Sequence, residues 1–377
     1  MSGPAYRVAA TVAGRIHEHL RQHREAVAGP VDLALAAPLP DLATITAMID
    51  TAFWTSLRRE EGTLPRISLA LVPPVPEVHP LRFATAMPMD PSSLGKLAPA
   101  VERPGIHLGA WPVDGRLMVW GTARVVPPLC FIVETVAPGL LVLKHRPWSQ
   151  ASKFVNVAVL EGDRIKVIDE RVSMTADCPP LLEALLRFDA RRSAFTGDNC
   201  MVQLAVSMRR HGRGGTLIVV PAESEAWRQS VLQPIAYSVT PSFDELAELM
   251  RQPADDANWL ERVDRAVDAI AGLTTVDGAT ILTDRYEVLA FAAKLGRRKG
   301  ANHVNRIVMT EPIEGNVAIA ADPSQVGGTR HVSAAQFVSD QPDALALVAS
   351  QDGRFTAFAW SPSTGHVYAH RVDALLM

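Results

Sequence analysis

Three short stretches in the C-terminal half gather residue types suited to handling a charged small molecule. They are Val276-Asp277-Gly278-Ala279-Thr280-Ile281-Leu282, then Gly327-Gly328-Thr329-Arg330-His331-Val332-Ser333-Ala334-Ala335, then Ser350-Gln351-Asp352-Gly353. Gly327 and Gly328 let a ligand approach the backbone closely. Thr329 is placed to cap a helix beginning near Arg330, whose first-turn N–H groups would attract an anion. Arg330 adds a forked, permanently charged donor, so phosphate is the expected ligand chemistry. Taken singly, Asp277-Gly278 marks a turn and His331 reads as a satisfied core histidine. Their combination with the glycine-threonine-arginine junction turns the reading toward a binding site.

Each stretch must sit where an apolar strand meets a turn, or where a glycine-led turn opens a helix. The pattern around them supplies such elements. Residues 201–208 read as a helix, 211–215 as a glycine-rich turn and 216–220 as a buried strand. Gly212-Arg213-Gly214-Gly215 closes a helix and opens a strand, the reverse of a dinucleotide fingerprint, so it reads as a helix C-cap and tight turn. Ser242 with Glu245 forms a capping-box pattern opening 243–250. Asn258 with Glu261 does the same for 259–273, with Leu260, Val263, Val267 and Ile270 as its apolar stripe. A strand over 288–295 precedes Arg297-Arg298-Lys299, a run that reads as a solvated loop rather than a phosphate clamp. Phe355, Phe358 and Trp360 share one strand and read as core.

The N-terminal half has a different texture. Ala9, Val12, Ile16 and Leu20 make one face of a first helix that stops before Gly29-Pro30. His17, His19 and His23 lie on its other face. His19 and His23 have the i, i+4 spacing of a helical metal site, but no third ligand is near in sequence, and His17-Glu18-His19-Leu20-Arg21 fails the H-E-x-x-H pattern. A solvated face is therefore expected. A second helix carries Ile45, Met48, Ile49, Ala52, Phe53 and Leu57, with Gly62 placed to end it. Strands follow at 66–72 and 117–126, separated by a proline-punctuated segment. Two short-loop pairs, 130–136 with 140–143 and 154–160 with 164–168, suggest hairpins.

Chain length favours two domains, and Asp177-Cys178-Pro179-Pro180 is the expected break, giving units 1–176 and 177–377. The fold class expected is an α/β domain preceded by an α+β module rich in antiparallel strands. With 48% hydrophobic and 20% charged residues, the composition is that of a globular protein with ample core. A net charge of -3 leaves no overall electrostatic footprint for DNA or an anionic membrane. Cys130, Cys178 and Cys200 show no C-x-x-C spacing, which argues against a disulfide framework or zinc knuckle. No signal-like or membrane-length apolar run occurs, so a cytoplasmic protein is expected.

The sequence resembles the diadenylate cyclase domain superfamily. Its hallmarks are a D-G-A turn, a G-T-R-H-R helix start and an S-E-E-x-G strand end. The matching residues are Asp277-Gly278-Ala279, Gly328-Thr329-Arg330-His331-Val332 with Ala334-Ala335, and Ser350-Gln351-Asp352-Gly353, and residues 214–220 look like that family's first core strand. The resemblance covers about 180–377. It implies a three-layer domain with a mixed central sheet that binds an adenine nucleotide, either ATP-like or a cyclic or linear oligonucleotide, at the strand ends. It also implies ligand contacts from Asp277, Gly278, Ala279, Gly328, Thr329, Arg330, His331, Ser350 and Asp352. In active members two such domains face each other as a homo-oligomer, and the D-G-A aspartate and an acid of the S-E-E segment hold Mg or Mn. Here those would be Asp277 and Asp352.

Val332 replaces the second arginine of that pattern, and Gln351-Asp352 replaces the two glutamates. Each charge-assisted hydrogen bond lost is worth roughly 1.5–3 kcal/mol, a heavy loss for phosphoryl transfer, where catalysis is mostly positioning and charge stabilisation. The pattern resembles the diverged branches described as nucleotide sensors, in particular the group called DACNV. The expectation is a nucleotide sensor needing no cofactor. The alternatives are an active cyclase making cyclic di-AMP from two ATP, and a binding-dead assembly surface.

Overall fold

The computed structural model describes residues 5–27, 33–103, 105–148, 154–169, 197–252 and 257–377. The chain divides into two units, residues 1–168 with Met377, and residues 169–376. The turn at 177–180, with Cys178, lies outside the described residues.

In the first unit, helix α1 (Arg7–Val27) buries Ala9, Val12, Ile16 and Leu20, the stripe its periodicity requires. Helix α2 (Leu42–Ser56) opens on Asp41, whose carboxylate accepts the Thr44 N–H at 2.7 Å. It ends earlier than expected. Leu57 is its C-cap and is exposed, while Gly62 sits beyond it in a separate turn at φ +84°. The apolar stripe continues in sequence past the point where the core stops.

The strands are β1 (Ser68–Leu71), β2 (Leu81–Pro88), β3 (His107–Val113), β4 (Arg116–Ala123), β5 (Phe131–Ala137), β6 (Leu140–His145), β7 (Val155–Glu161) and β8 (Arg164–Val167). They form an eight-stranded sheet in the order β2-β4-β3-β1-β5-β6-β7-β8, parallel at β1/β3 and antiparallel elsewhere. Both expected hairpins form, as β5/β6 and β7/β8. Strands β2 and β3 and helix α3 (Pro91–Leu97) fill the segment that read only as proline-punctuated. Strand β2 is at the sheet edge with no buried position, so it has no apolar alternation to find.

The second unit comprises helix α4 (Gly197–Arg210), strands β9 (Gly215–Val220) and β10 (Tyr237–Phe243), helices α5 (Glu245–Arg251) and α6 (Ala257–Leu273), and strands β11 (Ala279–Thr283), β12 (Val288–Ala293), β13 (Ile307–Thr310) and β14 (Ile319–Ala321). Helices α7 (Pro323–Val326) and α8 (Thr329–Asp340) and strands β15 (Leu345–Ala349), β16 (Phe355–Ser361) and β17 (His366–Arg371) complete it. The nine strands run β10-β12-β11-β9-β15-β16-β17-β13-β14 in one mixed sheet, parallel at β9/β11 and β13/β17. Every residue of β9, β11 and β15 is buried. On one face Ile218, Val220, Ile281 and Phe358 join Ala334, Phe337 and Val338 of α8 in a single core. Leu217 and Val219 point to the other face and are buried too.

Two cap assignments need correction. Ser242 belongs to β10, where the neighbouring Phe243 pairs with Val288, so α5 starts only at Glu245, with Asp244 as an N-cap that makes no side-chain hydrogen bond. Asn258 lies inside α6, which starts at Ala257. Leu260 is 38% exposed and off the buried stripe of Val263, Val267 and Ile270.

Two buried histidines anchor to hydroxyls: His107 to Ser68 Oγ at 2.7 Å and His370 to Thr310 Oγ1 at 2.8 Å. Burial pushes both from the ordinary value of 6.5 down to about 4, so each is neutral in the folded state at neutral pH. Between those values the unfolded chain binds more protons. Stability is therefore complete above about pH 6.5 and falls toward pH 4, by up to roughly 1.4 kcal/mol per pH unit for each such histidine. Urea denaturation across that window should show the fall, and His370→Gln should make it shallower; an unchanged slope in the variant would refute the assignment.

Candidate functional site

The pairing register of the second sheet decides which loop residues meet. Ala279 pairs with Thr216 and with Ala293, Gly215 with Ala349, Ala349 with Phe355, and Thr356 with Arg371. The start of β9, the start of β11, the end of β12, the end of β15, the start of β16 and the end of β17 therefore lie along one rim. Asp277-Gly278, Gly214, Lys294, Ser350 to Arg354 and Arg371 are all brought to that rim, although they span far more than a hundred residues of sequence.

Helix α8 begins at the same place. Arg330 Nη1 lies 3.0 Å from the position a Cβ on Gly214 would take, beside the Ala349 carbonyl and the Gln351 side chain. Among the described residues Arg330 forms no hydrogen bond through its guanidinium and no ion pair. Gly328 is the N-cap and Thr329 the first helical residue, so the expected Thr329 cap is not made. A glycine with extended backbone already takes the cap position.

Asp277 is almost fully exposed and ion-paired with Lys294, whose Nζ also donates to the Asp277 carbonyl at 3.3 Å. The Lys294 hydrogen bond and charge, with a smaller part from Arg330, hold the Asp277 carboxyl below the usual carboxylate range. Gly278 has φ +129°, and a Cβ there would lie 2.4 Å from the Ala292 carbonyl carbon, so only glycine fits this turn. In the next turn the Ser350 N–H donates to the Arg354 carbonyl at 2.9 Å and the Gly353 N–H to the Ser350 carbonyl at 3.2 Å. Asp352 is ion-paired with Arg354 at 3.4 Å.

His331 is 3% exposed and lies edge-on to Phe358, ring centroids 6.0 Å apart. Burial lowers its pKa; Asp352 opposes this, while Arg371, Arg354 and Arg330 add to it. Its imidazole also explains Gly327. A Cβ on that residue would come within 2.3 Å of the ring Nδ1, whereas one on Gly328 would meet nothing within 4 Å.

The structure adds basic residues that sequence patterns had not marked. Arg209 donates to the Gly353 carbonyl at 3.1 Å, and Lys294, Arg354 and Arg371 come from strand ends. Arg371 Nε is buried and has no hydrogen-bond partner. With Arg330 these five cations face the carboxylates of Asp277, Asp352 and Asp373, the last of which acts on Arg209. The rim is an electropositive edge next to a helix N-terminus, an arrangement suited to an anion. Arg297, Arg298 and Lys299 are exposed, as expected of a solvated loop.

A family profile described as "Probable sensor domain DACNV" matches residues 34–124. That match falls within the first unit, not on the motifs at 277–353 that carry the resemblance to diadenylate cyclases. No curated protein matches the chain. A solved structure described as the crystal structure of a hypothetical membrane spanning protein from Bacillus cereus is 17% identical, covering 50% of this chain and 71% of that one with a TM-score of 0.27, a likeness too distant to bear on the fold. Among the described residues, no helix is long and apolar enough to cross a membrane.

The contrast between adjacent glycines gives a direct check. Gly327→Ala should displace the His331 ring and cost about 1–3 kcal/mol, the usual range for overpacking, while Gly328→Ala should stay within about 0.5 kcal/mol. Equal denaturation midpoints for the two variants would rule out this packing.

Proposed function

We propose that the second unit is a nucleotide-binding sensor domain whose phosphate grip is the rim built by Asp277-Gly278-Ala279, Gly328-Thr329-Arg330 and Ser350-Gln351-Asp352. The observation that carries this reading is the approach of Arg330 to Gly214 at the rim shared with Asp277 and Asp352. A guanidinium without a hydrogen-bonded partner among the described residues, placed on the first turn of a twelve-residue helix, is a ready anion contact. The partnerless Arg371 Nε near His331 supports the same chemistry. The resemblance of the three motifs to the diadenylate cyclase superfamily supplies the nucleotide, and with it the three-layer arrangement. The sensor description of the profile matching 34–124 fits a receptor better than an enzyme.

The cyclase alternative asks Asp277 and Asp352 to hold Mg or Mn. Each carboxylate is instead neutralised by a neighbour, Lys294 for one and Arg354 for the other. A ligand phosphate would compete for those cations and leave the acids as polar partners. Sensing in this form needs no metal.

Calorimetric titration with ATP, ADP, cyclic di-AMP and short linear oligoadenylates tests the proposal. At least one should bind well below about 1 mM, and Arg330→Ala should weaken it roughly tenfold or more, the worth of one charge-assisted contact. Incubation of labelled ATP with manganese should yield no cyclic dinucleotide. Absence of all binding would sink the sensor reading, and product formation abolished by Asp277→Asn would establish the cyclase.

A further inference from the structure

Helix α1 and strand β6 bring three imidazoles together in the first unit. His19 and His23 stack with ring centroids 4.0 Å apart, and His145 lies 5.5 Å from the first and 5.0 Å from the second. One ring nitrogen from each lies within 4.8 Å of those of the other two. The third histidine that the local sequence lacks arrives from a strand 122 positions beyond His23.

Hydrogen bonds occupy one nitrogen of two of these rings. His145 Nδ1 is 3.0 Å from the Arg146 carbonyl, which also accepts the Leu129 N–H at 2.7 Å, and His23 Nδ1 is 3.0 Å from the His19 carbonyl. A carbonyl has no proton to give, so both Nδ1 atoms carry one, and in a neutral ring so protonated the lone pair is on Nε2. His145 is 1% exposed, yet its Nε2 has no partner, and neither has the buried Nε2 of His19. Desolvated ring nitrogens without partners are costly unless something fills the space between them. Burial, with the neighbouring histidines adding to it, lowers His19 to about 2 and His145 to about 4, so both rings are neutral at pH 7. No carboxylate is among the groups acting on either one, so an imidazolium would have no counter-ion.

We propose that His19, His23 and His145 form a binding site for a zinc-class divalent transition-metal ion, with the fourth coordination position left for water or an anionic ligand at the solvent edge beside His23. Neutral imidazoles with Nδ1–H groups held by backbone carbonyls are the usual form of histidine ligands. Three nitrogens with one open position match the geometry of open zinc sites. Around a tetrahedral ion at about 2.0–2.1 Å the nitrogens sit roughly 3.3 Å apart, so binding draws them together by up to about 1.5 Å. The ion would tie the C-terminal half of α1 to the end of β6.

Full-length protein stripped of metal, then titrated with zinc by calorimetry and with cobalt by visible absorption, tests this. One site per chain is expected, with a dissociation constant at or below about 1 µM, and cobalt should give the intense d–d bands of a four-coordinate site. His145→Gln should weaken zinc by more than the roughly 10–100-fold that losing a second-shell partner costs. His23→Gln, at the solvent edge where the core is untouched, should do the same with an unchanged far-ultraviolet dichroism spectrum. His17→Gln is the control, because His17 lies on the same helix but bonds the Pro40 carbonyl at 2.9 Å; it should bind zinc like the parent. Lack of one-to-one binding at that affinity, or zinc affinity retained in folded His23→Gln, overturns the proposal.

Discussion

The second unit depends on β9 being held between β11 and β15. Its six residues are buried throughout, one neighbour is parallel and comes from 279–283, the other antiparallel from 345–349. With no water on either face, each unpaired backbone group would be expensive, so the two ladders must close completely. A slip of one residue would also exchange the side-chain sets of the two faces, taking Ile218 and Val220 away from Phe337. The alignment that satisfies this demand is the one that sets Gly214, Asp277 and Ser350 at the same rim. Placement of the candidate ligand residues is thus a by-product of core formation rather than of the loops themselves.

Helix α8 adds the second requirement. It rests on the sheet through Ala334, Phe337 and Val338, and its first turn is aimed by the fit of the His331 ring over Gly327. Arg330 then has little freedom as to where its stem begins. In the first unit the histidine cluster follows the same logic, with a helix packed on a sheet and one strand-end side chain reaching it. In both cases the chemistry sits where a helix turn meets a strand terminus, and neither arrangement can be read from one element alone.

How far the sequence revealed this differed by element. The stripe of Ala9, Val12, Ile16 and Leu20, the two hairpins and the strand after Gly214-Gly215 were legible because local periodicity and turn residues determine them. Strand β2 was hidden because an edge strand with exposed side chains leaves no alternation, and β10 because its pairing overrode a capping pattern at Ser242. Asp277, Arg330 and Asp352 were singled out through motif resemblance; strand register brings the turns of Asp277 and Asp352 to one rim, and the packing of α8 places Arg330. Arg209, Lys294 and Arg371 had no motif to mark them. His19 and His23 were read as a solvated face, yet His19 is largely buried against its two neighbours; the missing partner, His145, is too distant in sequence for any spacing rule.

The outermost strands of the nine-stranded sheet are poor templates. Strand β14 is only three residues long, and β10 breaks register between Ser238 and Phe243 and contains Pro241, which lacks an N–H. Neither offers a long regular row of donors and acceptors to an incoming chain. Copies of this unit that meet in a crowded solution are thereby discouraged from fusing their sheets into one, so any self-assembly it undergoes would have to use side-chain surfaces and could remain reversible.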